Sequence, residues 1–231
     1  MRAIVLAAGR GERLMPLTAD RPKSLVDLGG GRTVFDEQVE AMRASGGISR
    51  IVFVVGYRAE MIEERAAAMA RGRVDVDTIY NPFFTVSNNL ASLWLARGEM
   101  DQDFLVTNGD NLFTADVYTG LIARARPGIT LAICPKDRFD SDDMKVVLHG
   151  DAVAAIGKAL DRLVRRPEAL HQFWLEVFNA LAAGGVAVGH WTFESAGRWQ
   201  EIDFHTDMSR ATDIVRAKAD SLRRAPARRT A

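Results

Sequence analysis

The sequence predicts an α/β fold with three layers built around a mainly parallel sheet, and an antiparallel hairpin inserted over the site. Three observations carry this. From residue 3 to about 125, short β-branched runs alternate with amphipathic stretches of helical period, the pattern that βαβ units produce. After residue 128 the alternation stops: strand, acidic loop, strand and a His149-Gly150-Asp151 turn follow without an intervening helix, which is hairpin chemistry. Neither an internal repeat nor a low-complexity linker divides the 231 residues. One domain over 1–222, with the insertion at about 129–157 and a basic tail at 223–231, is therefore the economical organisation.

The strands are expected at 3–8, 51–55, 76–80, 103–107, 130–134, 145–148 and 185–192, and the early helices at 33–44, 59–70, 88–96 and 116–125. A longer helix is expected over 167–183, with Pro167 in the first turn, where its missing N–H is harmless. A final helix is expected over 206–224, capped by Thr206. Ligands of such sheets bind beyond the carboxyl ends of the strands.

Composition excludes several classes. Thirty Lys and Arg balance thirty Asp and Glu, so no whole-surface field draws the chain to nucleic acid or to an anionic membrane. The tail carries four arginines without a carboxylate or an aromatic and reads as a solvated end. The single cysteine rules out an intrachain disulfide and a Cys-pair zinc site; Cys134, in the run Thr130-Leu131-Ala132-Ile133-Cys134-Pro135, is expected as a buried strand thiol. The apolar N-terminal run stops after about six residues, too few for a signal-peptide core, and no uncharged stretch approaches the roughly 20 residues of a membrane span. A cytoplasmic protein without nucleic-acid or membrane partners is expected, with a homodimer left open.

The first strand runs into Gly9-Arg10-Gly11-Glu12-Arg13, a spacing that lets backbone N–H groups approach a phosphate. Two common explanations fail on spacing. The dinucleotide fingerprint needs a third small residue where Leu14 stands, and the P-loop needs glycine where Pro22 precedes Lys23-Ser24.

The stretch from Leu6-Ala7-Ala8-Gly9 through Arg13 to Pro16-Leu17-Thr18, followed by Arg21-Pro22-Lys23, resembles the signature of the nucleotidyltransferases that make NDP-sugars and CDP-alcohols: G-x-G-x-R, then P-L-T, then P-K. The resemblance implies a Rossmann-like nucleotidyltransferase domain and an enzyme of the EC 2.7.7 class. Leu6, Ala7, Ala8, Gly9 and Gly11 would then bind the nucleotide. Arg13 and Lys23 would be catalytic, holding phosphate oxygens where several negative charges share one small volume.

Two carboxylates complete the resemblance. The strand at 103–107 ends in Asn108-Gly109-Asp110, and Asp110 matches the family's first magnesium ligand. Glu201-Ile202-Asp203 with Thr206-Asp207 is similar to its E-I-D-T-x-x-D segment and offers Asp203 as the second, although Phe204-His205 intervene before the threonine. Mg²⁺ suits so few protein ligands because it keeps waters and takes substrate phosphates. His149, His171, His190 and His205 show no i, i+4 zinc spacing. No general base is required, since a phosphate monoester with second pKa near 6 is already largely dianionic at pH 7.

The segment from Tyr80-Asn81-Pro82 to Ser92-Leu93 resembles that of the phosphocholine cytidylyltransferase branch, and so does Asp143-Met144-Lys145-Val146. That branch activates phosphocholine or aminoalkyl phosphonates with CTP. The resemblance implies CTP, with Ser87, Asn88 and Asn89 near its base or ribose, and Lys145 as a further catalytic cation; Ser87 as a helix cap with the asparagines in its first turn stays open. A quaternary ammonium wants aromatic faces, for which Phe83, Phe84, Trp94, Trp191 and Trp199 are candidates. A primary ammonium wants carboxylates, for which Asp140, Asp142 and Asp143 are. Phe84, Trp94, Asp143 and Trp191 are the acceptor set carried forward. After Ile156-Gly157-Lys158 the chain is about a dozen residues shorter than the branch pattern.

The expected activity is transfer of CMP from CTP to a phosphorylated amino-alcohol or an aminoalkyl phosphonate, releasing pyrophosphate. The alternatives are a sugar-1-phosphate nucleotidylyltransferase and a catalytically impaired nucleotide-binding regulatory module.

Overall fold

A computed structural model describes residues 1–69, 74–126, 128–135, 163–185 and 188–224. Strands β1 (Arg2–Ala7), β2 (Arg50–Val55), β3 (Asp75–Tyr80) and β4 (Phe104–Asn108) form one parallel sheet in the order β3-β2-β1-β4. Helices α1 (Val34–Ala44), α2 (Ala59–Met69) and α3 (Asn89–Leu95) make the crossovers. Because helices cover both faces, β1 and β2 are near-continuous apolar runs rather than alternating ones. Ala3, Val5, Phe53 and Val55 pack with α1 and α2 on one side; Ile4, Leu6 and Val54 pack with α3 on the other. From β1 the chain winds outward to β3 and then returns to β4 on the opposite side, so the sheet has its switch point between β1 and β4. An open α/β sheet offers its ligand crevice at such a point.

Helix α1 is closed by a capping box: Asp36 N–H donates to Thr33 Oγ1 (3.2 Å) and Thr33 N–H donates to Asp36 Oδ2 (3.0 Å). The same carboxylate accepts both arms of Arg65 from α2 at 2.9 and 2.8 Å, which ties the two crossovers together.

Beyond β4 lie β5 (Asn111–Phe113), α4 (Ala115–Arg124), β6 (Ile129–Ile133), α5 (Glu176–Ala183), β7 (Val188–Thr192), β8 (Trp199–Glu201) and α6 (His205–Arg224). β5 pairs antiparallel with β8, and β6 pairs parallel with β7. The expected first strand of an antiparallel hairpin is thus the parallel partner of β7. The remainder of the insertion, with Asp140, Asp142, Asp143, Lys145 and His149, lies outside the described residues, as does the tail beyond residue 224.

Three local expectations change. The helix expected over 167–183 is a short 3₁₀ turn, Pro167–His171, followed by α5. It breaks at 172–175 because that backbone serves α3 instead: Leu90 N–H donates to Gln172 O (3.4 Å) and Trp174 N–H donates to Asn89 Oδ1 (2.8 Å). The cap of α6 comes from Asp207, whose Oδ2 accepts the N–H groups of Asp203 (3.0 Å) and Phe204 (2.8 Å), rather than from Thr206. Cys134 is half-buried, one residue past β6, because every residue of β6 is itself only partly covered. Among the described residues no helix is long and apolar enough to cross a membrane.

Candidate active site

The glycine loop leaves β1 at the switch point. Gly11 has φ +69°, a left-handed conformation that a side chain rarely adopts, and a Cβ there would meet Lys23 Cβ at 3.0 Å. Thr18 Oγ1 donates to Gly11 O at 2.8 Å, folding the loop back on itself. Leu14, which breaks the dinucleotide fingerprint, is fully buried with Leu28, Val34, Leu112 and Ile202 and anchors the loop. The result is close packing of Gly11 on Lys23.

The second wall is the end of β4. Gly109 N–H donates to Leu6 O at 2.8 Å, and a Cβ at Gly109 would come within 2.6 Å of Ala7 Cβ, so only glycine lets the two strand ends approach this closely. Gln38, fully buried on α1, donates through Nε2 to Asn108 O (2.9 Å) and Asn111 O (2.8 Å), spanning the turn that carries Asp110.

The β5–β8 ladder then brings in the second carboxylate. Asn111 pairs with Glu201 and Ile202 N–H donates to Asp110 O at 3.0 Å. Asp110 stands just before one strand and Asp203 just past the other, so an antiparallel register sets them side by side.

Between them lies Lys23. Its Nζ donates to Asp110 Oδ2 at 2.9 Å and to Asp203 Oδ1 at 2.6 Å, while Arg13 lies 3.7 Å from Asp203 Oδ2. The Lys23 side chain is only 14% exposed. Burial pushes its pKa down, but the adjacent Asp110 and Asp203 carboxylates outweigh that penalty and hold it above the ordinary lysine value. The ammonium therefore stays charged.

A divalent cation fits this arrangement on the chemistry of its donors. Two carboxylates from separate strands converge on one cationic centre, and hard oxygen ligands of this kind suit Mg²⁺. Among the described residues no cluster of three or more His, Cys, Asp or Glu forms a fuller cage.

These groups line a cleft of about 280 Å³. Leu6, Ala7, Ala8, Gly9 and Gly11 border it from the β1 end; Phe84, Ser87, Asn88 and Asn89 border it from the segment between β3 and α3; Arg13, Lys23, Asp110 and Asp203 complete it. Asn88 is the residue that caps α3, its Oδ1 accepting Asn89 N–H, whereas Ser87 Oγ donates back to Phe83 O at 2.8 Å. Asn89 uses its oxygen on Trp174.

Of the five aromatic candidates, Phe84 alone borders the cleft. Trp94 packs against the core on the α3 side, with the Arg97 guanidinium 4.2 Å above its ring. Trp191, on β7, lies under Arg124 at 5.0 Å and against Gly120. Neither borders the cleft. Asn81, Ser92, Glu201 and Phe173 do, and the sequence reading assigned no role to them. Asn81 Nδ2 donates to Ser92 Oγ at 3.0 Å, a pair whose residues stand in the matched Asn-Pro and Ser-Leu dipeptides. Phe173, 56% exposed, carried no signal because its neighbours read as continuous helix.

A family model described as nucleotidyl transferase matches residues 2–141. Choline-phosphate cytidylyltransferase of Streptococcus pneumoniae is 31% identical over 125 residues, 54% of this chain and 51% of that protein. CMP-5'-(3-aminopropyl)phosphonate synthase of Streptomyces rubellomurinus is 34% identical over 135 residues, 58% of this chain and 21% of that protein. UTP--glucose-1-phosphate uridylyltransferase of Haloferax volcanii is 35% identical over 120 residues, 51% and 46% respectively. The matched part of this chain thus spans about half or less of each relative's length. Among solved structures, a CTP:phosphocholine cytidylyltransferase from Streptococcus pneumoniae superposes with a TM-score of 0.71 at 22% identity, covering 93% of this chain and 98% of that one. An inositol-1-phosphate CTP transferase from T. maritima gives 0.71 at 21% identity, covering 92% and 95%. At such identities the structural likeness shows the fold.

Proposed function

Because the chain belongs to the nucleotidyl transferase family, we propose that its cleft transfers CMP from CTP to a phosphorylated amino-alcohol of the phosphocholine type or to an aminoalkyl phosphonate. The observation that carries this reading is the convergence of Asp110, Asp203 and Lys23 beside a glycine loop at the sheet's switch point. Two of the three relatives above bear names that specify cytidylyl or CMP chemistry, which supports CTP over UTP.

In the proposed reaction an acceptor oxygen, on phosphate or phosphonate, forms a bond to the α-phosphorus of CTP. The bond from that phosphorus to the bridging oxygen breaks, and pyrophosphate leaves with the electron pair. No proton need be removed from a dianionic acceptor, so the work left to the protein is positioning and charge neutralisation. Backbone N–H groups of the loop at Gly9 and Gly11 face the triphosphate. Arg13 holds phosphate oxygens with its planar fork, and the ammonium of Lys23 supplies a point charge to the reacting phosphate. Asp110 and Asp203 would hold the magnesium ion, which when bound supplies electrostatic stabilisation of the α-phosphate and the departing pyrophosphate. Ser87, Asn88 and Asn89, which line the cleft, would meet the nucleoside.

For the acceptor, Phe84 and Phe173 bring two aromatic rings to one cleft. This favours a quaternary ammonium, whose contact with a ring is worth about 0.5–2 kcal/mol. Lys145 and Asp143 keep their proposed catalytic and acceptor roles from the resemblance alone. Residues 1–222 are proposed as one catalytic domain.

Pyrophosphate release with CTP, UTP, GTP and ATP, each against phosphocholine, 2-aminoethylphosphonate and glucose 1-phosphate, tests the reading. Turnover with CTP and an amine-bearing acceptor is expected. Preference for UTP with glucose 1-phosphate would replace it with the sugar-nucleotide alternative, and tight nucleotide binding without turnover would replace it with the regulatory module.

A further inference from the structure

Asp110 has two oxygens, and the structure treats them differently. Oδ2 receives the Lys23 ammonium at 2.9 Å, while Oδ1 receives Asn111 Nδ2 at 3.1 Å. The other end of the Asn111 carboxamide, Oδ1, accepts the indole N–H of Trp199 at 2.7 Å. An indole nitrogen is a donor only, so it dictates which end of the carboxamide faces it. The oxygen must point to Trp199, and the NH₂ must then point to Asp110. Asn111 is only 8% exposed, so little water competes for either end.

The ladder explains why these residues meet. Asn111 lies opposite Glu201 and Phe113 opposite Trp199, which makes Asn111 and Trp199 diagonal neighbours on the β5–β8 pair. The Trp199 ring is stacked on Phe113 with centroids 6.4 Å apart, which holds the indole plane. From α1, Gln38 fixes the backbone on both sides of Asp110. The turn, the carboxamide and the ring are each held from a different direction.

We infer that Trp199 and Asn111 are positioning residues that commit Asp110 Oδ1 to an N–H bond and so reserve Oδ2 for the cation. Neither touches the reacting atoms. Their effect is to keep the Asp110 carboxylate from rotating and presenting either oxygen, the kind of outer partner that orients a metal ligand. Without the indole N–H, Asn111 Oδ1 loses its donor and the carboxamide is anchored at one end alone, so it and the Asp110 carboxylate can swing together. The inference rests on the metal-dependent reading proposed above.

The test is Mn²⁺ binding, read from the loss of the free-ion electron paramagnetic resonance signal, for the protein alone and with α,β-methylene-CTP. Trp199→Phe removes the N–H while keeping a ring on Phe113; Asn111→Leu removes the carboxamide. Each single variant should weaken Mn²⁺ binding about tenfold, with the metal-free binding of the CTP analogue by Trp199→Phe unchanged and its melting temperature lowered only by the modest cost of one lost hydrogen bond. The double variant should bind no more weakly than Asn111→Leu alone, since one acts through the other. Mn²⁺ bound equally by the parent and by Trp199→Phe would overturn this inference alone, as would additive effects in the double variant. If Asn111→Leu does not fold, Trp199→Phe decides the matter by itself. A parent that binds no Mn²⁺ under either condition would overturn the metal reading, and this inference with it.

Discussion

Asp110 and Asp203 stand at adjoining ends of a three-residue antiparallel ladder and close on the same ammonium, at 2.9 and 2.6 Å. Two carboxylates held this close repel each other in a half-buried cleft, and the ammonium of Lys23, with Arg13 beside Asp203, offsets that repulsion. The pair is therefore a cation-binding arrangement, and one oxygen of each carboxylate holds a cation of the chain's own. Two members of that triangle, Asp110 and Lys23, have distinct expected consequences.

Asp110→Asn should lower kcat/KM for nucleotidyl transfer by at least about a hundredfold, because metal-assisted charge stabilisation is worth several kcal/mol. The fold should survive, since Asp110 is partly exposed and its turn is held by Gln38. Steady-state kinetics at saturating Mg²⁺ with a thermal melt check both halves; activity within threefold of the parent would contradict the metal role.

Lys23→Met should reduce the maximal rate more than it weakens CTP binding. The α-phosphate gathers a fifth oxygen only in the transition state, where a point charge counts most. Comparing kcat with a calorimetric Kd separates the two effects, and equal losses would indicate uniform ground-state binding.

Much of this site is legible in the sequence. Gly9, Gly11, Arg13 and Lys23 are close together in the chain, and Asp110 follows a strand directly, so the resemblance that nominates them can be read from contiguous motifs. Asp203 is different. Its approach to Asp110 depends on β5 and β8, each three residues long, too short to show period-two alternation. The extra Phe204-His205 makes sense only once Asp207 is seen bonding back to the N–H groups of Asp203 and Phe204. Phe173 was hidden for a related reason: the segment over 172–175 has helical composition, but its backbone is drawn off by the entry to α3. Trp94 and Trp191 show the converse error, since a large aromatic at element spacing packs on a core or under an arginine as readily as it faces a ligand.

Asp36→Ala should cost about 2–3 kcal/mol of stability through loss of the α1 capping box and of the charge-assisted bonds from Arg65. The Arg65 side chain, 44% exposed, can turn to water, which keeps the figure from rising further. Urea unfolding of the parent and variant measures it. A change within experimental error would mean that the α1–α2 link is not a stabilising feature.

The acceptor reading makes a graded prediction. From ethanolamine phosphate through its methylated forms to phosphocholine, kcat/KM should rise, because a larger and more weakly hydrated cation loses less solvation on meeting Phe84 and Phe173. Phe173→Ala should flatten that series. A falling series would assign the amine to carboxylates, whose charged hydrogen bonds are worth about 1.5–3 kcal/mol each.

The central claim is that this cleft joins CMP to a phosphorylated acceptor at a cation held by Asp110 and Asp203. ³¹P NMR of the protein with CTP, phosphocholine and Mg²⁺ tests it most directly, because substrate, product and leaving group are resolved in one sample. The account predicts a CDP-linked product carrying a new phosphoanhydride bond, and pyrophosphate in equal amount, both absent when Asp110→Asn replaces the parent. Consumption of CTP to pyrophosphate or phosphate without the CDP-linked product, or the same product from Asp110→Asn at the parent's rate, would contradict it.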